Sequence, residues 1–209
     1  VGVKSLIERL EMSFFTAGII MKAVTAIGNL ELYGEVMKLY HGTSSHAAEL
    51  IESCGYIAKN IDRTYGEDSA LATTDGYIYL TNHPGYAAYM ANKEAMFKKA
   101  DFFVVYEIEV EDVFLEPDID ELIYVSELSE TEAKKCSLTQ SLSLSRSCRA
   151  PHNLYIGKEV IRKVTMPSSS TKVTSDLMPT KNVICFRREN QESQALEILD
   201  QVGWVRLTD

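Results

Sequence analysis

The alternation of apolar and polar positions divides the chain into short elements joined by polar loops. Residues 4–27 carry Leu6, Leu10, Phe14, Ala17 and Met21 at spacings of three and four, which predicts one or two helices with one apolar face. "VMKLYHG" predicts a strand that stops at Gly42, and Ser44 or Ser45 is placed to cap the helix that follows. In that helix Ala47, Leu50, Ile51 and Cys54 form the expected buried stripe, and Gly55 supplies a left-handed stop. The polar stretch "AKNIDRTYGEDSALATTDG" reads as a loop that ends in a compact strand, "YIYLT". "NHPGYAAYMANKEAMFKKA" then predicts a second helix, with Pro84 in the first turn and Lys98 and Lys99 in the last, where the helix dipole favours cations.

The next strand lies in "DFFVVYEIEVEDVFLEPD", where Val104, Tyr106, Ile108 and Val110 alternate with Phe103, Val105, Glu107 and Glu109. One face is apolar throughout; the other turns acidic, so Glu107 and Glu109 are expected to be solvated or salt-bridged. "EPDIDEL" reads as an acidic surface loop, and residues 116–149 as a polar, serine-rich excursion with one helix around residues 129–136. "NLYIG", "EVIRKVTM" and "NVICFRR" are three further strand candidates, "PSSSTKVTSDLMPTK" has the composition of a loop, and a closing helix runs from Glu192 to Gln201. This mixture of few helices, short strands and long loops predicts an α+β domain over residues 37–209, preceded by a helical extension over residues 1–36. Neither GxGxxG nor GxxxxGK[ST] occurs, which disfavours Rossmann and P-loop nucleotide sites.

Charge narrows the choice of partners. The 209 residues include 21 Lys and Arg against 30 Asp and Glu, and a net charge of -9 gives no general attraction to nucleic acid or anionic lipid. Cys54, Cys136, Cys148 and Cys185 form no CxxC pair and lie far from any His at zinc-finger spacing, so reduced thiols in a cytoplasmic protein without a metal site are expected. "MSFFTAGIIMKAVTAIG" is the most apolar segment, but Lys22 interrupts it and it falls short of the ~20 residues of a membrane span. Neither a membrane anchor nor a signal peptide is expected.

Three motifs follow one another in a fixed order: His41-Gly42-Thr43 at a strand end, "GYIYLT" about 35 residues later, and "GYAAYMA" directly after it at a helix start. In these motifs residues 37–165 resemble the ADP-ribosyltransferase superfamily, in its poly(ADP-ribose) polymerase-like branch of bacterial and phage type. The resemblance implies a split mixed β-sheet core with flanking helices. It also implies that His41 hydrogen-bonds the adenine-side ribose of NAD+, that Gly42 presents its backbone to the nicotinamide carboxamide, that Thr43 belongs to the same NAD+-binding set, and that Tyr79 and Tyr89 sandwich the nicotinamide ring. Tyr86 stands where the family has a small serine, which implies a different pocket floor. The residue types suit these roles: glycine admits close approach to the main chain, and a cationic ring over an aromatic face gains roughly 0.5–2 kcal/mol.

Cleavage of the nicotinamide glycosidic bond passes through an oxocarbenium-like state and calls for a negative group beside the reacting ribose. The family supplies a glutamate from a late strand. Glu159 is the carboxylate of "RAPHNLYIGKEVIRKV", and if "NLYIG" is the matching strand, Asn153 or His152 takes the position instead. The expected function is therefore an NAD+-dependent ADP-ribosyltransferase, toxin-like and cytoplasmic, with His41, Tyr89 and Glu159 as catalytic residues and NAD+ as substrate. Its acceptor is a macromolecule, protein before nucleic acid, and an antitoxin or inhibitor is a conceivable partner. Two alternatives stay open. One is a catalytically weak module that binds NAD+ or ADP-ribose. The other is a nucleic-acid-directed transferase related to RNA 2′-phosphotransferases, with Arg146, Arg149, Arg162 and Lys163 as a phosphate-binding strip.

Overall fold

A computed structural model describes residues 34–59 and 73–207. The expected helical extension lies outside these residues up to residue 33, as does most of the polar loop before "YIYLT".

The strands are β1 (Val36–Ser44), β2 (Tyr56–Ile57), β3 (Ile78–Thr81), β4 (Phe102–Glu111), β5 (Glu116–Pro117), β6 (Ser147–Ala150), β7 (Leu154–Tyr155), β8 (Val160–Pro167) and β9 (Val205–Arg206). Seven of them form one sheet in the order β5-β6-β3-β1-β4-β8-β9, while β2 and β7 pair separately. Every pairing of named strands among the described residues is antiparallel. The helices are α1 (Ser45–Cys54), α2 (Pro84–Phe97), α3 (Ile119–Tyr124), α4 (Glu130–Ala133), α5 (Leu138–Leu144), α6 (Met178–Cys185) and α7 (Glu192–Val202). The architecture is α+β with a largely antiparallel sheet.

The sheet is covered on both faces, which is why β4 is buried almost throughout its length. Leu39, Leu80, Val104, Tyr106 and Ile108 pack on one side with Ala48 and Ile51 of α1 and Leu142 of α5. Tyr40, Phe103, Val105 and Val164 pack on the other with Ala87, Ala91 and Ala95 of α2, Val183 of α6, and Ala195 and Leu199 of α7. Glu107 falls on the second face and is 3% exposed. Arg162 satisfies it with two hydrogen bonds, Nε to Oε1 at 2.9 Å and a terminal nitrogen to Oε2 at 2.7 Å, so it is salt-bridged, whereas Glu109 is exposed.

The helix signals operate as the local chemistry dictates. Ser44 caps α1 by accepting from the Ala47 amide, and Gly55 ends it with φ 82°. Of the stripe expected from the sequence Ile51 is buried, together with Ala48, whereas Leu50 is 68% exposed and Cys54 is exposed. Pro84 opens α2, and the His83 ring accepts from the Tyr86 amide as its N-cap. Lys98 is the C-cap of α2, and its ammonium lies 2.8 Å from Glu94.

Two readings of the pattern are corrected. "NVICFRR" is not a strand: most of it lies in α6, where Thr180 and Val183, three apart, are the buried residues. A short apolar run cannot by itself separate a strand from a helix that buries one narrow face. The serine-rich excursion, expected to hold one helix around residues 129–136, holds three helices, α3, α4 and α5, between β5 and β6. Ser129 and Ser137 form capping boxes with Glu132 and Gln140, and Ser141, Ser145 and Ser147 are buried with bonded hydroxyls. Beyond them β6 is an inner strand of the main sheet, between β5 and β3.

Helix α2 lies directly on β1 at Gly42. A Cβ there would sit 2.1 Å from the Ala87 carbonyl oxygen and 2.9 Å from the Ala91 Cβ. Gly55 has nothing within 4 Å, so only its left-handed backbone opposes a side chain. Gly42→Ala is therefore expected to lower the unfolding free energy by about 3 kcal/mol or more through overpacking, and Gly55→Ala by about 1–2 kcal/mol. Urea unfolding of the two variants checks the order; equal losses would show that α2 moves away from β1 freely.

Candidate active site

Strand β1 pairs with β4 over nine positions but with β3 at one, Tyr40 opposite Thr81. The sheet opens beyond that position. The Tyr79 carbonyl, left without a ladder partner on this side, takes the imidazole of His41, with Nδ1 at 3.0 Å. Nδ1 carries the proton in this arrangement, and Nε2 is an acceptor. Burial pushes the His41 pKa below that of an ordinary imidazole, against the opposing pull of the Tyr79 carbonyl and the Glu94 carboxylate. His41 is neutral at pH 7.

The opening contains a cavity of about 190 Å³ lined by His41, Gly42, Tyr79, Tyr86, Asp118 and Glu121, among others. Its polar chemistry pairs phenols with carboxylates. The Tyr79 hydroxyl donates to Asp120, which also accepts from the amide and hydroxyl of Thr74 at 2.8 Å each. The Tyr86 hydroxyl donates to Glu121. Burial and then the adjoining carboxylates raise both phenol pKa values, so the two rings stay protonated donors. Asp118 is 2% exposed and caps α3, accepting from the Glu121 amide at 3.0 Å and from the Ser147 hydroxyl. Burial, reinforced by Glu121 and Asp120, pushes its carboxyl up to about 6 against those two hydrogen bonds. Glu121 is raised as well, by burial first and also by Asp120, although the Tyr86 phenol, Lys93 and Arg146 act in the opposite sense.

The expected site residues divide into three groups. His41, Gly42, Tyr79 and Tyr86 meet in the cavity. Thr43 and Tyr89 do not line it. Thr43 is buried, and its hydroxyl donates to Glu94 at 2.9 Å; Glu94 also accepts from the Ser44 amide and pairs with Lys98. Burial works against ionisation of Glu94, but Lys98 and Thr43 together hold it below the usual carboxylate range. The Tyr89 ring stacks on Tyr86 with centroids 6.3 Å apart, and Arg187 lies 4.6 Å from its centroid. Tyr86, Met90 and Glu94 are four residues apart on α2 and all line the cavity, so Tyr89 is turned to the flank.

The third group is Glu159, Asn153 and His152. All three line a different depression, of about 770 Å³, with Lys59 and Lys158. The Glu159 carboxylate accepts from the Tyr155 amide at 2.9 Å and pairs with Lys158 at 2.7 Å. Against the expectation from the sequence, it does not stand beside His41. The late strand next to β3 is β6, whose residues Ser147, Cys148, Arg149 and Ala150 include no carboxylate. Besides Glu94 of α2, the carboxylates of the cavity are Asp118 and Glu121 from "EPDIDEL", expected as a surface loop, which forms β5 and the start of α3. The visible signal was Asp118-x-x-Glu121, an N-cap aspartate with an acidic first turn.

The four basic residues considered as a phosphate strip are divided. Arg149 lies over Tyr77 and 3.3 Å from Glu116, Arg162 is bound by Glu107, and Lys163 pairs with Glu52 at 2.6 Å. Strands β3, β1 and β4 separate β6 from β8. Arg146 lies 5.7 Å from the Tyr86 ring centroid and donates to the Arg187 carbonyl at 2.9 Å. Among the described residues no group of three His, Cys, Asp or Glu is arranged to hold a metal ion, and no helix is long and apolar enough to cross a membrane. Compared with known proteins, the chain matches no protein-family model and no curated sequence.

Between pH 4 and 6 folded Asp118 keeps a proton that the unfolded chain releases, so this group removes stability as the pH rises. A shift from 3.8 to about 6 amounts to roughly 3 kcal/mol. Urea unfolding at pH 4 and pH 7 is expected to show the wild type losing about 2.4 kcal/mol relative to Asp118→Asn, since pH 4 already lies just above the unfolded value. Parallel losses in the two proteins would contradict a buried, proton-retaining Asp118.

Proposed function

We propose that the chain is an NAD+-dependent ADP-ribosyltransferase that moves ADP-ribose to a macromolecular acceptor and releases nicotinamide. The observation that carries this reading is the meeting of His41, Gly42, Tyr79 and Tyr86 in one cavity at the opening between β1 and β3. An ADP-ribosyltransferase-like split sheet is the finer architecture we propose for the α+β fold.

The cavity suits one end of the dinucleotide. At about 190 Å³ it is smaller than the ~300–1,000 Å³ of pockets that enclose drug-sized ligands, so a single ring fits and the rest of NAD+ would extend beyond it. Nicotinamide is cationic while bonded to ribose. Tyr79 and Tyr86 bring aromatic rings to the cavity wall, a residue type suited to such a ring, and Asp118 and Glu121 supply negative charge near it. Neutral His41, with Nε2 as an acceptor, suits a ribose hydroxyl. In the reaction the C1′–nitrogen bond breaks, nicotinamide leaves with the electron pair, and C1′ bonds to a nucleophilic atom of the acceptor. Charge developing at C1′ is stabilised by the carboxylates of the cavity.

A protein acceptor is the preferred class, because Arg149, Arg162 and Lys163 are each paired with a carboxylate and do not form the phosphate-binding strip considered from the sequence. A second reading, a module that binds NAD+ or ADP-ribose without turnover, draws on the remoteness of Glu159 from His41. The discriminating measurement is nicotinamide release from NAD+, with and without cell lysate, beside calorimetric binding of NAD+. The enzyme is expected to release nicotinamide, His41→Ala to abolish most of it, and Tyr86→Ala to lower kcat/KM about tenfold by removing a cation–π face. Tyr89→Ala is expected to change it less than about threefold, since its ring stacks outside the cavity. Binding without release would favour the module; neither binding nor release would remove both readings.

A further inference from the structure

We propose that Glu121 is the catalytic carboxylate of the transfer reaction, receiving the acceptor's proton as the new bond to C1′ forms, and that Tyr86 and Asp118 position it. This inference rests on the ADP-ribosyltransferase reading and supplies the group that Glu159, in its separate depression, does not.

The argument proceeds through the carboxylates that line the His41 cavity among the described residues: Glu94, Asp118 and Glu121. Glu94 is committed to the fold, accepting from the Thr43 hydroxyl and the Ser44 amide while paired with Lys98. Asp118 is enclosed, and its two oxygens are occupied by the Glu121 amide and the Ser147 hydroxyl. Glu121 differs from both. It is half-buried, and Oε1 accepts from the Tyr86 phenol. Among the described residues Oε2 makes no hydrogen bond to the protein.

The placement matches what the chemistry demands. Glu121 is tied to the hydroxyl end of Tyr86, one of the two rings offered to the leaving nicotinamide. A carboxylate there adds negative charge where the ribose becomes cationic, and its free oxygen can take a proton. The step balances: the C1′–nitrogen bond breaks and nicotinamide departs with its electron pair. The acceptor's oxygen or nitrogen bonds to C1′, and the proton it loses goes to Glu121. Asp118 fixes the backbone of Glu121 through the N-cap bond, and Tyr86 fixes the carboxylate. The charged groups around Glu121 are Lys93 on α2, Arg146 just before β6, and Asp118 and Asp120 on its own segment.

The test compares Glu121→Gln, Tyr86→Phe and Asp118→Asn with the wild type, measuring kcat and KM for nicotinamide release in lysate, the pH profile, and calorimetric affinity for NAD+. Glu121→Gln is expected to lose at least about a hundredfold in kcat, the upper part of the range typical for general bases, with NAD+ affinity within threefold. Tyr86→Phe keeps the ring and removes a hydrogen bond that lowers the Glu121 pKa. The acidic limb of its pH profile should therefore move to higher pH with NAD+ affinity retained. Asp118→Asn removes a neighbouring negative charge, so its acidic limb should not move to higher pH, and its loss in kcat should be smaller than that of Glu121→Gln. A purely structural role for Glu121 would not produce the Tyr86→Phe shift. Release by Glu121→Gln within threefold of wild type, or a loss confined to NAD+ affinity, overturns this inference and leaves the transferase reading intact. A wild type that neither binds NAD+ nor releases nicotinamide overturns both.

Discussion

The close contact of α2 with Gly42 is the constraint on which the rest of the structure depends. A helix whose main chain lies within 2.1 Å of where a Cβ would be requires a strand residue without a side chain. The alanines at positions 87, 91 and 95 continue this close approach along the second face of the sheet. With the helix so near, Tyr86, Met90 and Glu94 descend beside the end of β1, and the cavity is the space left between them and His41. Gly42 therefore has a packing role independent of any ligand, while its backbone still faces the cavity.

A second consequence concerns hydrogen bonding. Since β1 and β3 share a single paired position, the groups beyond it must find partners outside the ladder. His41 supplies one by bonding the Tyr79 carbonyl, and this side chain holds the opening in place of main-chain pairing. On its other edge β3 pairs with β6 at four positions, so the wall that bears Tyr79 is fixed by the sheet.

Buried charge is treated differently in the two halves of the sheet. Glu107 is neutralised by the planar fork of Arg162, itself stacked 4.4 Å from the Trp204 centroid, an arrangement suited to a static pair. Around the cavity, by contrast, Asp118 and Glu121 meet hydroxyls and an amide at contact distance, and the charges of Lys93 and Arg146 oppose the effect of burial on Glu121. Neutral donors compensate burial less fully than a guanidinium does, so these carboxyls retain protons more readily. Carboxyls tuned in this way are more common at reactive sites than in structural ion pairs.

Local chemistry in the sequence determined much of this: the caps at Ser44 and His83, the stop at Gly55, and the alternation in β4; the first strand, expected to stop at Gly42, instead stays paired with β4 to Ser44. Each depends on residues a few positions apart, which a period or a cap records directly. Tertiary structure decided the partners. That β6 rather than β8 flanks β3, that Tyr86 rather than Tyr89 faces the cavity, and that Asp118 and Glu121 rather than Glu159 bring carboxylates to it all follow from strand order and helix rotation. Those are set by the whole set of packed faces, and no spacing along the chain records which turn of one segment will meet which edge of another.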